Sequence, residues 1–255
     1  MSLFDRILCL LLVSVAVSPV MAADEVPVYE LRVYTCEAGK LDALHARFRE
    51  HTMRIFEKHG MTNVGYWTPT DGPEATTTLV YLLRHASADA AAKSWDAFRN
   101  DPEWKQVAQQ SKEQHGKILA KAPESQYLTL TEFSPAVGTL PVDAVFELRT
   151  YTTEENRLAA LHKRFHDHTI ELFKRHGMTN LWYFTPQDEA RREQTLVYFL
   201  AHTNREAAQA SWKAFLADPE WQAAAKASEQ DGKILAKRPD AMFLKLTDYS
   251  PSAGK

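Results

Sequence analysis

Glu30, Arg32 and Tyr34 stand two residues apart in the segment VYELRVYT. Glu147, Arg149 and Tyr151 repeat that spacing in VFELRTYT. In an extended strand alternate side chains share a face, so each set points an acid, a base and a phenol the same way. Charges turned into a protein are expensive unless they are paired. Two chemistries are open to them. One is a polar chamber in which Arg32 and Arg149 hold the carboxylate of an anionic or phenolic small molecule. The other is an internal Glu–Arg network that fixes how two sheets register. In either case Tyr29, Leu31 and Val33 are expected to face helices, and Glu30, Arg32 and Tyr34 the space enclosed with a partner sheet.

Histidines form the second group: His45, His51 and His59, repeated as His162, His168 and His176. His45 and His51 are six residues apart, about 600° around an α-helix, so they share no face and make no metal pair. His51 and His168 fall at the edge of an apolar stripe and are the candidate catalytic bases or haem ligands. Their structural reading is a histidine bonded to a carbonyl. His59 and His176 end a helix, where a cation gains about 0.3–1 kcal/mol from the dipole. His85 and His202 close a strand and can join the same region. Asn63 and Asn180 follow a helix stop, placed to orient a ligand or to satisfy the loop backbone. Cys36 is matched by Thr153 and is no twofold feature. No H-E-x-x-H, C-x-x-C, phosphate loop or nucleophile elbow is present, so no metal or dedicated cofactor is expected, haem being the one the histidines leave open.

The elements that position these groups occur twice. HARFREHTMRIFEKHGMTN, residues 45–63, matches HKRFHDHTIELFKRHGMTN, residues 162–180, at 11 of 19 positions with an offset of 117. Each copy reads strand, helix, two strands, helix, strand. The stripe Leu41, Leu44, Phe48, Ile55 and Phe56 marks the first helix, stopped at Gly60. Ser87 and Asp101-Pro102 start the next two helical segments. The fold class is therefore α+β: two tandem ferredoxin-like βαββαβ repeats. Each sheet has one face without helices, and the other copy is its natural cover. Burying roughly 800 Å² of apolar surface that way is worth on the order of 20 kcal/mol before ordering costs. The expected result is a pseudo-twofold dimeric α/β-barrel in one chain, helices outside.

The boundaries follow from composition. Arg6, the apolar run Ile7–Val17 and the small residues to Ala22 suit a cleaved signal peptide over residues 1–22. Repeat 1 covers 27–134, a linker 135–143, and repeat 2 144–250. A signal peptide places the protein in the periplasm or outside the cell, with no membrane span after its removal. The mature chain keeps only Cys36, so no internal disulfide can form. With 30 Lys and Arg against 33 Asp and Glu, the chain lacks the basic surface of a nucleic-acid binder.

The strand ELR-x-YT, the helix end F-x-x-HGM-T-N, the turn Y-W-T-P and the helix S-W-x-A-F-x-x-DPEW together resemble the NIPSNAP family, across both repeats. The resemblance implies the dimeric α/β-barrel superfamily, which includes cofactor-free monooxygenases and haem proteins. NIPSNAP members themselves have no settled activity. The expectation is an exported tandem protein that binds a small molecule or a protein partner. The alternative is a cofactor-independent monooxygenase or a haem-dependent oxidoreductase. Its internal pseudo-dimer makes a monomer sufficient, with a homo-oligomer left open.

Overall fold

The computed structural model of the protein describes residues 26–251; the signal peptide expected over residues 1–22 lies outside them. The first half runs β1 (Val28–Thr35), α1 (Leu41–Arg47), a π-helical turn (Phe48–Thr52), α2 (Met53–Lys58), β2 (Thr62–Pro69), β3 (Thr78–His85), α3 (Ala88–Asn100), α4 (Pro102–His115) and β4 (Glu124–Leu130). The second runs β5 (Val145–Thr152), α5 (Leu158–Arg164), a π-helical turn (Phe165–Thr169), α6 (Ile170–Arg175), β6 (Thr179–Pro186), β7 (Thr195–His202), α7 (Arg205–Ala217), α8 (Pro219–Ser228) and β8 (Asp240–Leu246). Side-chain caps start the later helices where the sequence suggests. Ser87 Oγ accepts from the Ala90 amide, and Asp101 Oδ1 accepts from the amides of Glu103 and Trp104.

The first helix of each half is not the unbroken α-helix that its spacing suggests. A π turn widens it midway. The hydroxyl of Thr52 donates to the carbonyl of Arg47, five residues back, at 3.1 Å, and Thr169 does the same to Arg164 at 3.1 Å. Each hydroxyl gives a second donor to a wide turn whose hydrogen bonding is otherwise loose. The stripe Leu41, Leu44, Phe48, Ile55 and Phe56 is still buried against the sheet.

All eight strands close into one antiparallel barrel in the order β1-β3-β2-β8-β5-β7-β6-β4. Within a half the order is that of a ferredoxin-like sheet. Between halves β2 pairs with β8 and β4 with β6. Closure leaves no open sheet edge. The ends of the two halves also cross. Ser134, after β4, accepts a hydrogen bond from the Tyr183 amide, and Ser250, after β8, accepts one from the Tyr66 amide.

The face assignment of the first strand is the reverse of the expected one. Tyr29, Leu31 and Val33 pack inside the barrel with Trp67, Leu82, Phe146, Trp182 and Phe199. Glu30, Arg32 and Tyr34 lie on the helix side, and so do Glu147, Arg149 and Tyr151. Strand alternation says which side chains share a face, not which face is enclosed. The interior is packed mainly with large apolar side chains. The helix layer supplies indole, imidazole and hydroxyl groups that a buried carboxylate needs.

The segment joining the halves, 135–143, also enters the barrel. Its Leu140 is 1 % exposed and belongs to the interior cluster. Gly65 makes the room. A Cβ there would come within 2.8 Å of Leu140 and would strike the Trp67 indole. Its counterpart in the second half is Trp182, which fills the matching space itself. Leu140→Ala is expected to cost about 2–5 kcal/mol in urea unfolding, whereas Leu216→Ala, 57 % exposed on α7, stays within about 0.5 kcal/mol. A Leu140→Ala protein as stable as the parent would remove the linker from the core.

Candidate functional site

Glu30 is 1 % exposed at the seam between the sheet and α3. Its Oε2 accepts from the Trp95 indole at 2.6 Å and meets His85 Nε2 at 3.0 Å. Its Oε1 accepts from Arg32 Nη1 and the Ser125 hydroxyl. Glu147 repeats the arrangement with Trp212 at 2.7 Å, His202 at 2.9 Å and Arg149 at 2.7 Å. The serine is not repeated, because Ala241 faces Arg149 where Ser125 faces Arg32. Each arginine also stacks on the same tryptophan. The guanidinium carbon of Arg32 lies 4.3 Å from the Trp95 ring centre, and that of Arg149 lies 4.2 Å from Trp212. Such contacts add about 0.5–2 kcal/mol.

Electrostatics follow from these partners. Burial alone would raise the Glu30 carboxyl, but His85, Arg32, Ser125 and Trp95 outweigh it and hold the group at about 2. Glu147 is also below its ordinary value: burial opposes, while His202, Arg149 and Trp212 prevail. Both carboxylates are therefore ionised. Glu30 accepts four hydrogen bonds and Glu147 three, and these lock the strand to the helix.

Beyond each carboxylate the seam continues toward the π turn. Tyr34 and Tyr81 pack at 5.3 Å between Arg32 and Arg47, and Tyr151 and Tyr198 at 5.2 Å between Arg149 and Arg164. Burial pushes the Tyr81 and Tyr198 hydroxyls well up, so both are neutral. Burial lowers Arg47 and Arg164. Arg47 Nη1 reaches Ser111 Oγ at 3.5 Å, and Arg164 Nη1 reaches Ser228 Oγ at 3.2 Å. The same four buried atoms lack a hydrogen-bond partner in both halves: Nε of Arg32, Nε of Arg47, the hydroxyl of Tyr81 and Nδ1 of His85, matched by Arg149, Arg164, Tyr198 and His202. A buried polar atom left unpaired costs about 1–3 kcal/mol. Repetition of the same four in two diverged copies marks the seam as a shared polar feature of the halves.

His51 is not part of it, and His168 reaches only the outer wall of a cavity beside Arg164. Both belong to the π turns and face outward; the His51 side chain is 40 % exposed, 3.9 Å from Glu50. They do not fit a haem, which needs an axial ligand inside apolar walls. Asn63 and Asn180 are occupied by the fold. Asn63 Nδ2 donates to the Met53 carbonyl at 3.1 Å and to Glu57 at 2.8 Å, and its Oδ1 accepts from Tyr66. Asn180 Nδ2 donates to the Ile170 carbonyl at 3.0 Å, and its Oδ1 accepts from Tyr183. His59 and His176 bond to the capping aspartates Asp101 and Asp218 at 2.6 and 2.8 Å, which ties the first helix to the last. Sequence reasoning missed Arg47 and Arg164. Only their recurrence at the 117-residue offset, each next to a phenylalanine, could have singled them out.

This geometry, two βαββαβ units closing one antiparallel barrel with helices outside, is the dimeric α/β-barrel fold carried in a single chain. The NIPSNAP family model matches residues 29–135 and 146–251, and the chain belongs to the NIPSNAP family. Among solved structures it is similar to a candidate monooxygenase from Fusobacterium nucleatum, with 9 % identity and a TM-score of 0.57 over 90 % of this chain and 96 % of that one. An anthrone oxidase-like protein aligns with 13 % identity and a TM-score of 0.55 over 93 % and 98 % of the two chains. A NIPSNAP family protein from Agrobacterium tumefaciens aligns with 22 % identity and a TM-score of 0.38 over 44 % of this chain and 96 % of that one. No curated protein sequence matches the chain.

The Glu30 cluster makes stability depend on pH. A carboxyl held at about 2 when folded, against an ordinary 4.5, contributes stability that is complete above about pH 4.5 and is lost as pH falls through 2. Glu30→Gln leaves Arg32 buried without its counter-charge and should cost about 3–5 kcal/mol at pH 7. The gap to the parent protein should narrow toward pH 2–3 in urea unfolding. A gap that is absent at pH 7, or unchanged at pH 3, would show that the cluster does not anchor the fold.

Proposed function

We propose that the protein is an exported small-molecule-binding protein whose ligand is a small organic anion or phenol. The ligand would be taken up at the helix–sheet seam and not inside the barrel. The observation that carries this reading is the repeated set of unpartnered buried atoms around Arg47, Tyr81, Arg164 and Tyr198. Guanidinium and phenol groups held in a low-dielectric seam bind carboxylates and phenolic oxygens strongly, because no water competes. A protein partner is the weaker alternative. The large apolar side chains exposed among the described residues, Val26, Val142 and Leu216, belong to separate segments, and an interaction surface needs a contiguous patch. The reading takes the chain as a monomer, since the barrel closes within it. Neither metal nor haem enters it.

A second reading, a cofactor-independent monooxygenase, is favoured by one detail. His85 and His202 are each held through Nε2 by a buried carboxylate and keep Nδ1 unpartnered. That is how a general base is oriented. The base would be this pair and not His51 or His168.

Two measurements test these readings. Thermal unfolding is followed with a panel of aromatic acids, aliphatic acids and phenols. A ligand at a hundred times its Kd contributes about 2.7 kcal/mol, which raises Tm by roughly 5–10 °C in a chain of this size. No shift with any acid or phenol would reject the binding reading. Oxygen uptake with anthrone and simple phenols, no faster than in buffer, would reject the oxygenase. Export is checked by the intact mass of the recovered protein, expected to begin at Ala23.

A further inference from the structure

We propose that the two halves are not equivalent, and that the second alone holds an open site for a small organic monocarboxylate, with Arg164 at its floor. The inference rests on the seam-binding reading above and deepens it. A cavity of about 320 Å³ lies between the first helix of the second half and α8. That is at the lower end of the range for small-molecule sites, about 300–1,000 Å³. Arg164 lines it and is 5 % exposed. Its Nη1 donates to Ser228 at 3.2 Å, its nearest acid is the half-exposed Glu229 at 3.9 Å, and its Nε is buried without a partner. The guanidinium carbon lies 5.2 Å from the Trp221 ring centre. A buried cation with so little compensation is costly, and a carboxylate supplies the planar two-oxygen partner that a guanidinium fork matches.

Three differences from the first half make the room. The chain lacks the residue equivalent to Lys112, and α8 ends at Ser228 whereas α4 continues to His115. Ala224 stands where the first half has Val107, which is buried in the helix–sheet core. Ala227 stands where the first half has Gln110. The shortened helix is secured by Arg157, the counterpart of Lys40. Its Nη2 donates to the carbonyls of Ser228 and Gly232 at 2.9 and 3.0 Å. Such carbonyls at a helix end otherwise lack donors. Arg157 is thereby spent on the fold, which leaves Arg164 as the guanidinium for a ligand, with the exposed His168 also on the cavity wall.

The lining selects the chemical class. Ala160, Ala224 and Ala227 give a small apolar wall. Asp167 and Asp231 also line the cavity, which disfavours a dianion such as phosphate, and Lys163 is engaged by Asp167. A single negative charge on a compact hydrocarbon body fits both features. The binding step moves no bond.

Calorimetric titration of the intact mature chain with benzoate, octanoate and inorganic phosphate tests this. One site per chain is expected for a carboxylate, at least tenfold tighter than phosphate. Arg164→Gln should weaken it at least tenfold. Ala224→Val, which restores the first-half residue and keeps every polar group, should weaken it comparably while leaving Tm within a few degrees, so that a fold defect in the arginine variant cannot mimic the result. Two equal sites per chain, or undiminished affinity in Ala224→Val, would overturn the non-equivalence and leave seam binding standing. Phosphate binding as tightly as benzoate would overturn the carboxylate class. No binding of any probe would overturn this inference and count equally against the seam reading.

Discussion

Two four-stranded sheets, each with one face bare of helices, have a single common solution when they lie on one chain. They bury those faces against each other and share their edges. The closed ladder does both at once. β2 meets β8 and β4 meets β6, so every strand has two neighbours. The price of closure is an interior that must be filled by side chains alone. Tyr29, Trp67, Phe146, Trp182 and Phe199 fill it, and Leu140 of the connecting segment completes the packing beside Gly65. An interior filled in this way is mostly apolar, and a cavity of about 540 Å³ remains beside Tyr29, Val64 and Leu140. The buried polar groups gather in the layer between sheet and helices.

That layer is organised by two buried carboxylates. Glu30 and Glu147 each gather a guanidinium, an imidazole and an indole from three different elements, β1, β3 and α3 or their equivalents. Desolvation of the acid is offset only if all donors are present together, so the cluster specifies the strand-to-helix spacing more sharply than apolar packing can. Once the spacing is set, the tyrosines and the second arginine of each half have fixed positions on the far side. The seam therefore has a structural end, where the carboxylates gather their donors, and a far end, where Arg47 and Arg164 lie.

Duplication sets the frame, and small divergences decide what each half can do. Ser125 against Ala241 changes the hydrogen bonding of one carboxylate. Tyr249 bonds His45 at 2.7 Å, whereas its counterpart Phe133 only packs against His162 at 5.3 Å. A lost residue in the last helix and two alanines open a groove over Arg164. None of these alters the barrel, because each lies outside the ladder and the interior.

The repeat, the βαββαβ order, the caps at Ser87 and Asp101 and the pairing of sheet against sheet were all legible in the sequence. They depend on local periodicity, turn chemistry and a duplicated pattern, which neighbouring residues state directly. The grouping of Glu30, Arg32 and Tyr34 on one face was legible for the same reason. Which face it was could not be read, because alternation is symmetric and the choice depends on where donors such as Trp95 and His85 arrive from across the fold. The π turns that aim His51 and His168 at solvent, the entry of Leu140 into the barrel, and the burial of Arg47 and Arg164 were likewise decided by tertiary packing. Local pattern records what each residue prefers; which side chains lose their water depends on parts of the chain that meet only when the barrel closes.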